Sequence, residues 1–220
     1  SPGREGIVLD FARTFYNWRW SFLLLLLLAA MFSSAAAGDR ASVHILTMTT
    51  YSLVFAGTLL AAQMTPFFRN AGLLLVVLWF GLGVLGSLDK GTVFGPFFTL
   101  VTACLIVGCL LVTVSELVRN KDTGLDSILG AVFGYILIAV SWSMLYGQIA
   151  LDAPGSFKTP SEHISSTEFI YFSLVTISSL GYGDITPTTP IPRLLAGLQA
   201  ATGTIYIAVF IGRVVGRLND

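Results

Sequence analysis

The chain has 220 residues, 55% hydrophobic and only 11% charged, and its 12 basic and 12 acidic residues balance to a formal net charge of zero. A soluble domain carries about a quarter of its residues charged, so an ordinary soluble globule is excluded. The zero balance offers no basic field to nucleic acid and no acidic field to basic partners.

A bilayer-crossing helix needs roughly 20 apolar residues, so six spans would use about 120 residues and leave short loops. The polar residues Ser1–Gly6 are set aside from fold reasoning. Ile7, Phe11 and Phe15 recur at helical spacing, and Trp18 and Trp20 follow as interfacial anchors. Residues 1–19 are therefore expected to be a cytoplasmic lead-in, either a short helix lying on the membrane or, since the pattern lasts only two turns, a frayed stretch.

The first span is expected at Trp20–Ala37, led by the leucine run Leu23–Leu28 and stopped by Gly38, Asp39 and Arg40. The second runs Val43–Gln63, ended by Pro66, and the third Asn70–Leu88, ended by Asp89, Lys90 and Gly91. The fourth covers Phe94–Leu117 and the fifth Ile128–Leu151. Residues 152–166 are rich in Pro, Gly, Ser and Thr and read as an exposed loop. Phe169–Ile177 is apolar but much too short to span, and Arg193–Val215 is the sixth span. Cys104 and Cys109 would point about 140° apart on the fourth helix, so they are expected to be small apolar residues rather than a disulfide. Trp79 and the glycines 81, 83, 86, 130 and 134 read as helix packing.

Six spans put both termini on one side. That side holds Arg4, Arg13, Arg19, Arg69, Arg119, Lys121, Arg213 and Arg217 of the 12 basic residues; the other holds Arg40, Lys90, Lys158 and Arg193. The excess places both termini in the cytoplasm, and the short apolar segment after the fifth span enters from outside.

Between the fifth and sixth spans runs Thr176-Ile177-Ser178-Ser179-Leu180-Gly181-Tyr182-Gly183-Asp184-Ile185-Thr186-Pro187. Alternating glycines allow backbone conformations that other residues resist, and such a stretch can turn successive carbonyls towards one axis. Irregular backbone at membrane depth is tolerated only where protein buries it or water reaches it. A short apolar helix, this strand and then a full span describe a re-entrant loop.

This segment resembles the selectivity filter of potassium channels, whose pattern is Thr-Val-Gly-Tyr-Gly-Asp. From about Leu125 to Arg217 the chain is similar to the pore of bacterial six-span channels of the voltage-gated potassium superfamily. The fold that follows is an all-α membrane protein. It would have six transmembrane helices, a re-entrant pore helix and a filter, and would assemble as a homotetramer, since four loops must surround one ion. It would divide into the lead-in, a four-helix voltage-sensor-like bundle at 20–121 and a pore domain at 122–220. The resemblance implies a multi-pass protein of the bacterial inner membrane. Its partners are membrane lipid and its own copies, and it leaves room for a cytoplasmic regulatory domain or subunit beyond these residues. It implies no enzyme, no organic cofactor and K+ as the ion bound in transit.

By that resemblance the carbonyls of Ser179, Leu180, Gly181, Tyr182 and Gly183 would line the filter, with the Ser179 hydroxyl adding the innermost ring. The supporting residues are Tyr171, Phe172, Val175, Thr176, Ser178 and Asp184. Many family members brace the filter with two tryptophans; here Tyr171 and Phe172 stand in their places. Tyr171 keeps a donor for Asp184 and Phe172 has none, so a more loosely braced filter is expected, with faster inactivation or softer selectivity. On the inner helix Gly203 matches a family hinge glycine, with close packing as the alternative. Thr204, Ile207, Ile211 and Val215 should face the axis, and a ring of Ile211 or Val215 would gate by dewetting. Arg193 is expected in a structural pair near the outer mouth, with Glu168 as partner.

Voltage-gated relatives carry an arginine every third residue of the fourth span, whereas Phe94–Ser115 holds no charged residue. Without such charges to move through the field, steep voltage dependence is not expected. The alternatives are a non-selective cation channel of the same fold, a potassium transporter subunit, or a membrane partner with a vestigial pore. The intact Gly181-Tyr182-Gly183-Asp184 in a single loop disfavours all three.

Overall fold

The computed structural model describes residues 18–37, 41–62, 64–88, 125–160 and 165–218, together with 97, 98, 100–102, 104, 105, 107, 108, 111, 112 and 115. Side chains are described except at 34–37, 41–47, 86–88, 125–127 and 212–218. The expected interfacial helix before Trp18, His163 and Cys109 lie outside these residues.

Helix α1 spans Arg19–Ala37, α2 Ala41–Ala61 and α3 Pro66–Leu88. In α1 the leucine run is helical because leucine loses little rotamer freedom there. Leu23, Leu24, Leu27 and Ala30 form its buried face, while Phe22, Leu25 and Phe32 are exposed. In α2 the buried positions Tyr51, Val54, Phe55, Thr58 and Leu59 keep the same helical spacing. The outward faces are also apolar, as suits a surface against lipid rather than water. Pro66 opens α3 rather than merely closing the element before it. A proline fits the first helical position, where its missing N–H has no partner to lose.

The described residues between 97 and 115 are helical. Trp79 of α3 ties this segment in: fully buried, it donates from Nε1 to Thr102 Oγ1 at 3.1 Å. Its ring stands edge-on to Phe55 and stacks on Phe98. Cys104 is exposed, whereas as a small apolar residue it was expected within a buried helix. Gly83 packs against Met48 and Phe98, whereas Gly81 faces open space, so only one of these two glycines fits the packing reading.

Helix α4, Leu125–Asp152, buries two sides. Phe133, Leu137 and Val140 join the core of the first bundle; Ile138, Ala139 and Tyr146 face the elements that follow. Trp20 is a core residue rather than the interfacial anchor expected. It is buried, 5.8 Å from the ring of Phe133, because α1 packs directly on α4 of its own chain. Trp18 alone of the two stays half exposed.

After α4 come strand β1 (Phe157–Lys158), helix α5 (Ser166–Ile177), strand β2 (Thr186–Pro187) and helix α6 (Pro190–Leu218). The strands pair antiparallel, Phe157 opposite Pro187 and Lys158 opposite Thr186, clipping the loop after α4 to the segment after α5. At 12 residues α5 is about 18 Å long, far short of a bilayer. A proline again opens α6, three residues before the start read from sequence.

By length and composition Pro66–Leu85, Ile128–Asp152 and Pro190–Ile211 can cross a membrane. Among the described residues these are three of the six spans expected. The described parts of α1 and α2, Arg19–Ser33 and Met48–Ala61, are apolar but shorter.

Candidate functional site

The site begins at the two ends of α5. Its N-terminus is fixed by a capping box: Ser165 Oγ accepts from the Glu168 N–H, and Glu168 Oε2 accepts from the Ser165 N–H at 2.8 Å. This employs Glu168, which the sequence reading had offered to Arg193. Arg193 Nε instead donates to the Pro187 carbonyl at 3.1 Å, bracing β2.

At the C-terminus the chain reverses in a Schellman turn. Ser179 N–H donates to the Thr176 carbonyl at 3.0 Å and Leu180 N–H to the Val175 carbonyl at 3.0 Å. Gly181 N–H shares the Val175 carbonyl at 3.2 Å, and Ser178 Oγ donates to the Leu174 carbonyl. This turn requires a left-handed residue just past the cap, commonly glycine. Here it is Ser179, with φ +57°, the one described non-glycine residue at positive φ. Gly181 (φ +56°) and Gly183 (φ +80°) follow. The hand of the backbone thus alternates from 179 to 183. In an extended strand successive carbonyls point to opposite sides; alternating hand removes that constraint.

Beyond the turn, the Tyr171 hydroxyl donates to Asp184 Oδ2 at 2.7 Å, and Asp184 Oδ1 accepts from the Ile185 N–H at 3.0 Å. The Tyr182 ring stacks on Tyr171, 6.4 Å away and 6° from parallel. The hydrogen bond from Tyr171 holds the Asp184 carboxyl below the usual range. The same bond, with the carboxylate charge, pushes the Tyr171 hydroxyl up to about 12. Phe172 faces away from this pair into a buried aromatic cluster, edge-on to Tyr146 at 5.1 Å and to Phe157 at 5.6 Å. Ile185 is buried in the same cluster and anchors the returning strand. Val175 is buried and Thr176 partly so.

Gly203 of α6 lies against the end of α5. A β-carbon there would overlap the Ile177 carbonyl oxygen and sit 2.7 Å from Ile177 Cγ1. The same carbonyl accepts from the Tyr135 hydroxyl of α4 at 3.0 Å. A carbonyl in a helix's last turn has no partner within the helix, and Tyr135 supplies one. Thr204, Ile207 and Ile211 are exposed along α6, with Thr204 Oγ1 donating to the Ala200 carbonyl; the Val215 side chain lies outside the described residues.

The sequence reading missed Tyr135, Tyr146, Ser173 and Gln199, which hold α5 from behind. A polar glutamine inside an apolar span was the available signal, since buried polar groups are kept only where they find partners.

The ion channel family model matches residues 128–219, which contain this whole arrangement. Protein LctB of Bacillus caldotenax is 30% identical over 123 residues, covering 50% of this chain and 90% of that protein. The chain belongs to the ion channel family. With an ion channel domain and apolar helices of membrane length, it is an integral membrane protein. Two-pore potassium channel 4 of Arabidopsis thaliana is 40% identical over 101 residues, 44% of this chain. The voltage-gated potassium channel of Aeropyrum pernix is 30% identical over 83 residues, 37% of this chain. The chain spans only 36% and 28% of those two relatives' lengths. No solved structure matches it significantly.

The Tyr171–Asp184 bond makes a pH prediction. A lowered carboxyl pKa contributes stability above the ordinary value of about 3.9, lost as pH falls through the native one. A raised tyrosine pKa contributes below about 10 and is lost as pH climbs through about 12. The strut should therefore be intact from pH 5 to 9. In Tyr171→Phe the Asp184 titration should move up to the ordinary carboxylate range, read by NMR of labelled aspartate. An unmoved titration would show that the bond does not hold the carboxylate.

Proposed function

We propose that the chain is one subunit of a potassium-selective channel, four copies surrounding an axis so that the backbone from Ser179 to Gly183 lines the path of the ion. The observation that carries the reading is the alternating hand of the backbone at Ser179, Gly181 and Gly183, launched from a helix too short to cross the membrane. Four such segments would offer rings of carbonyl oxygens in place of the hydration shell of K+. The Ser179 hydroxyl would add the ring at the inner end. Flow is passive, and K+ is cargo rather than a resident cofactor.

Exposure in the single chain supports this assembly. Leu180 is 56% and Tyr182 67% exposed in the single chain, and Leu194, Leu198, Ile205, Ile207 and Ile211 of α6 are exposed beside them. Irregular backbone at membrane depth needs protein or water around it, and copies of the same face supply the protein. Within the tetramer Tyr171 and Asp184 hold the outer end of the filter, and Thr204, Ile207, Ile211 and Val215 line the inner cavity. The first four helices form a collar without gating charge, since Phe94–Ser115 holds no charged residue. Both termini lie in the cytoplasm by the excess of basic residues on that side.

Ion-dependent stability tests the reading. Ions held between subunits bind the assembled state and not the separated chains, so K+ should stabilise the tetramer. The purified protein in detergent should melt as a tetramer at a higher temperature in potassium chloride than in sodium chloride. Equal melting in the two salts, or a monomer in both, would contradict it.

A further inference from the structure

Behind the short helix α5, three elements meet in a buried polar network. Gln199 of α6 is fully buried; its Nε2 donates to the Ser173 carbonyl at 3.2 Å and to Ser173 Oγ at 2.5 Å. Its Oε1 accepts from the Tyr146 hydroxyl of α4 at 2.9 Å. Ser173 Oγ in turn donates to the Ala139 carbonyl of α4 at 2.6 Å. Ser173 and Tyr146 are fully buried as well. Both amide hydrogens, the amide oxygen and both hydroxyls have partners.

The placement is also a matter of register. Ser173 and Ile177 stand one turn apart on α5, as do Gln199 and Gly203 on α6. The first pair makes the polar contact and the second the steric one. Steric contact fixes how closely the helices approach but leaves sliding open. A directional bond from the amide to Ser173 fixes the position along the axis. Apolar residues of equal volume would pack here at no lower stability, so a satisfied buried amide is better explained by a position it specifies.

We propose that Gln199 is a positioning residue for the ion path: it locks α6 and α4 to α5 and thereby sets the height of the segment that starts at Ser179, without meeting the ion. The inference rests on the reading of the chain as a potassium-selective pore. Selectivity should depend on this link even where stability does not.

The test uses the full chain reconstituted in planar bilayers, with the K+/Na+ permeability ratio read from reversal potentials. In the double variant Tyr146→Phe/Gln199→Leu the phenol hydroxyl and the amide go together, and Ser173 Oγ keeps its bond to the Ala139 carbonyl, so no buried polar group is stranded. Its tetramer should melt near the parent's temperature, while the permeability ratio falls on the order of tenfold, equivalent to about 1.4 kcal/mol. A parental ratio in the folded double variant would overturn the proposal and leave the network as packing alone. Should that variant not fold, Ser173→Ala, which removes only the hydroxyl links, is expected to lower the ratio severalfold, and a parental ratio there overturns it equally. Failure of the underlying reading is separate: the parent itself would then show no preference for K+, and the proposal would fall with it.

Discussion

Gly203→Ala should abolish the folded channel. The added β-carbon would overlap the Ile177 carbonyl oxygen, a backbone atom, with Ile177 Cγ1 2.7 Å away. That carbonyl cannot retreat freely, because the Tyr135 hydroxyl binds it from α4 at 3.0 Å. Overpacking in a close-packed core costs about 1–3 kcal/mol, and a clash with fixed backbone belongs at or above the top of that range. Against a typical stability of about 5–15 kcal/mol the loss is large, and a tetramer would suffer it four times. Trimming the side chain with Ile177→Ala should not rescue the variant, since the carbonyl remains. Yield of tetramer on gel filtration and its melting temperature are the measures; a variant that melts with the parent would refute the close contact. The packing role also accounts for this glycine without any bending of α6.

Gly181→Val should leave the bundle folded and remove discrimination between ions. Gly181 sits at φ +56°, where a β-branched residue is a genuine outlier. A β-carbon there meets nothing within 4 Å in the single chain, so the helices have no reason to rearrange. The strain, about 1–2 kcal/mol for a left-handed residue and more for a branched one, falls on the peptide planes beside it. Those planes relax by leaving the alternating arrangement, and the ring of oxygens is lost. Rubidium uptake into vesicles, with sodium as competitor, is the measure. Uptake as selective as the parent's would mean that the carbonyls of this segment do not meet the ion.

Much of the architecture was legible because the apolar runs and their breaks have a single physical meaning. The leucine run of α1 and the apolar stretch of α4 are helical where hydropathy put them. Tyr171 and Asp184, thirteen residues apart, were legible as a pair only through the resemblance, which sets Tyr171 where many potassium channels brace the filter with a tryptophan, and they meet at 2.7 Å. What escaped was set by tertiary contact. Trp20 carries the composition of a membrane-edge residue, yet the packing of α1 on α4 buries it against Phe133. Phe172 gives the filter no donor, as its side chain dictates, but the aromatic cluster with Tyr146 and Phe157 that takes its ring has no local pattern in the sequence. The left-handed backbone of Ser179 escaped because serine does not advertise it; the Schellman turn at the end of α5 imposes it. Gln199 and Ser173, 26 residues apart, carry no local pattern that joins them.

Four copies of the segment from Ser179 to Gly183 should pass potassium in preference to sodium. The most direct measurement is the reversal potential of the purified parent chain in planar bilayers with potassium on one side and sodium on the other. Current that reverses close to the potassium equilibrium potential is the expected result. Measurable current reversing near zero would contradict it and make the protein a non-selective cation channel.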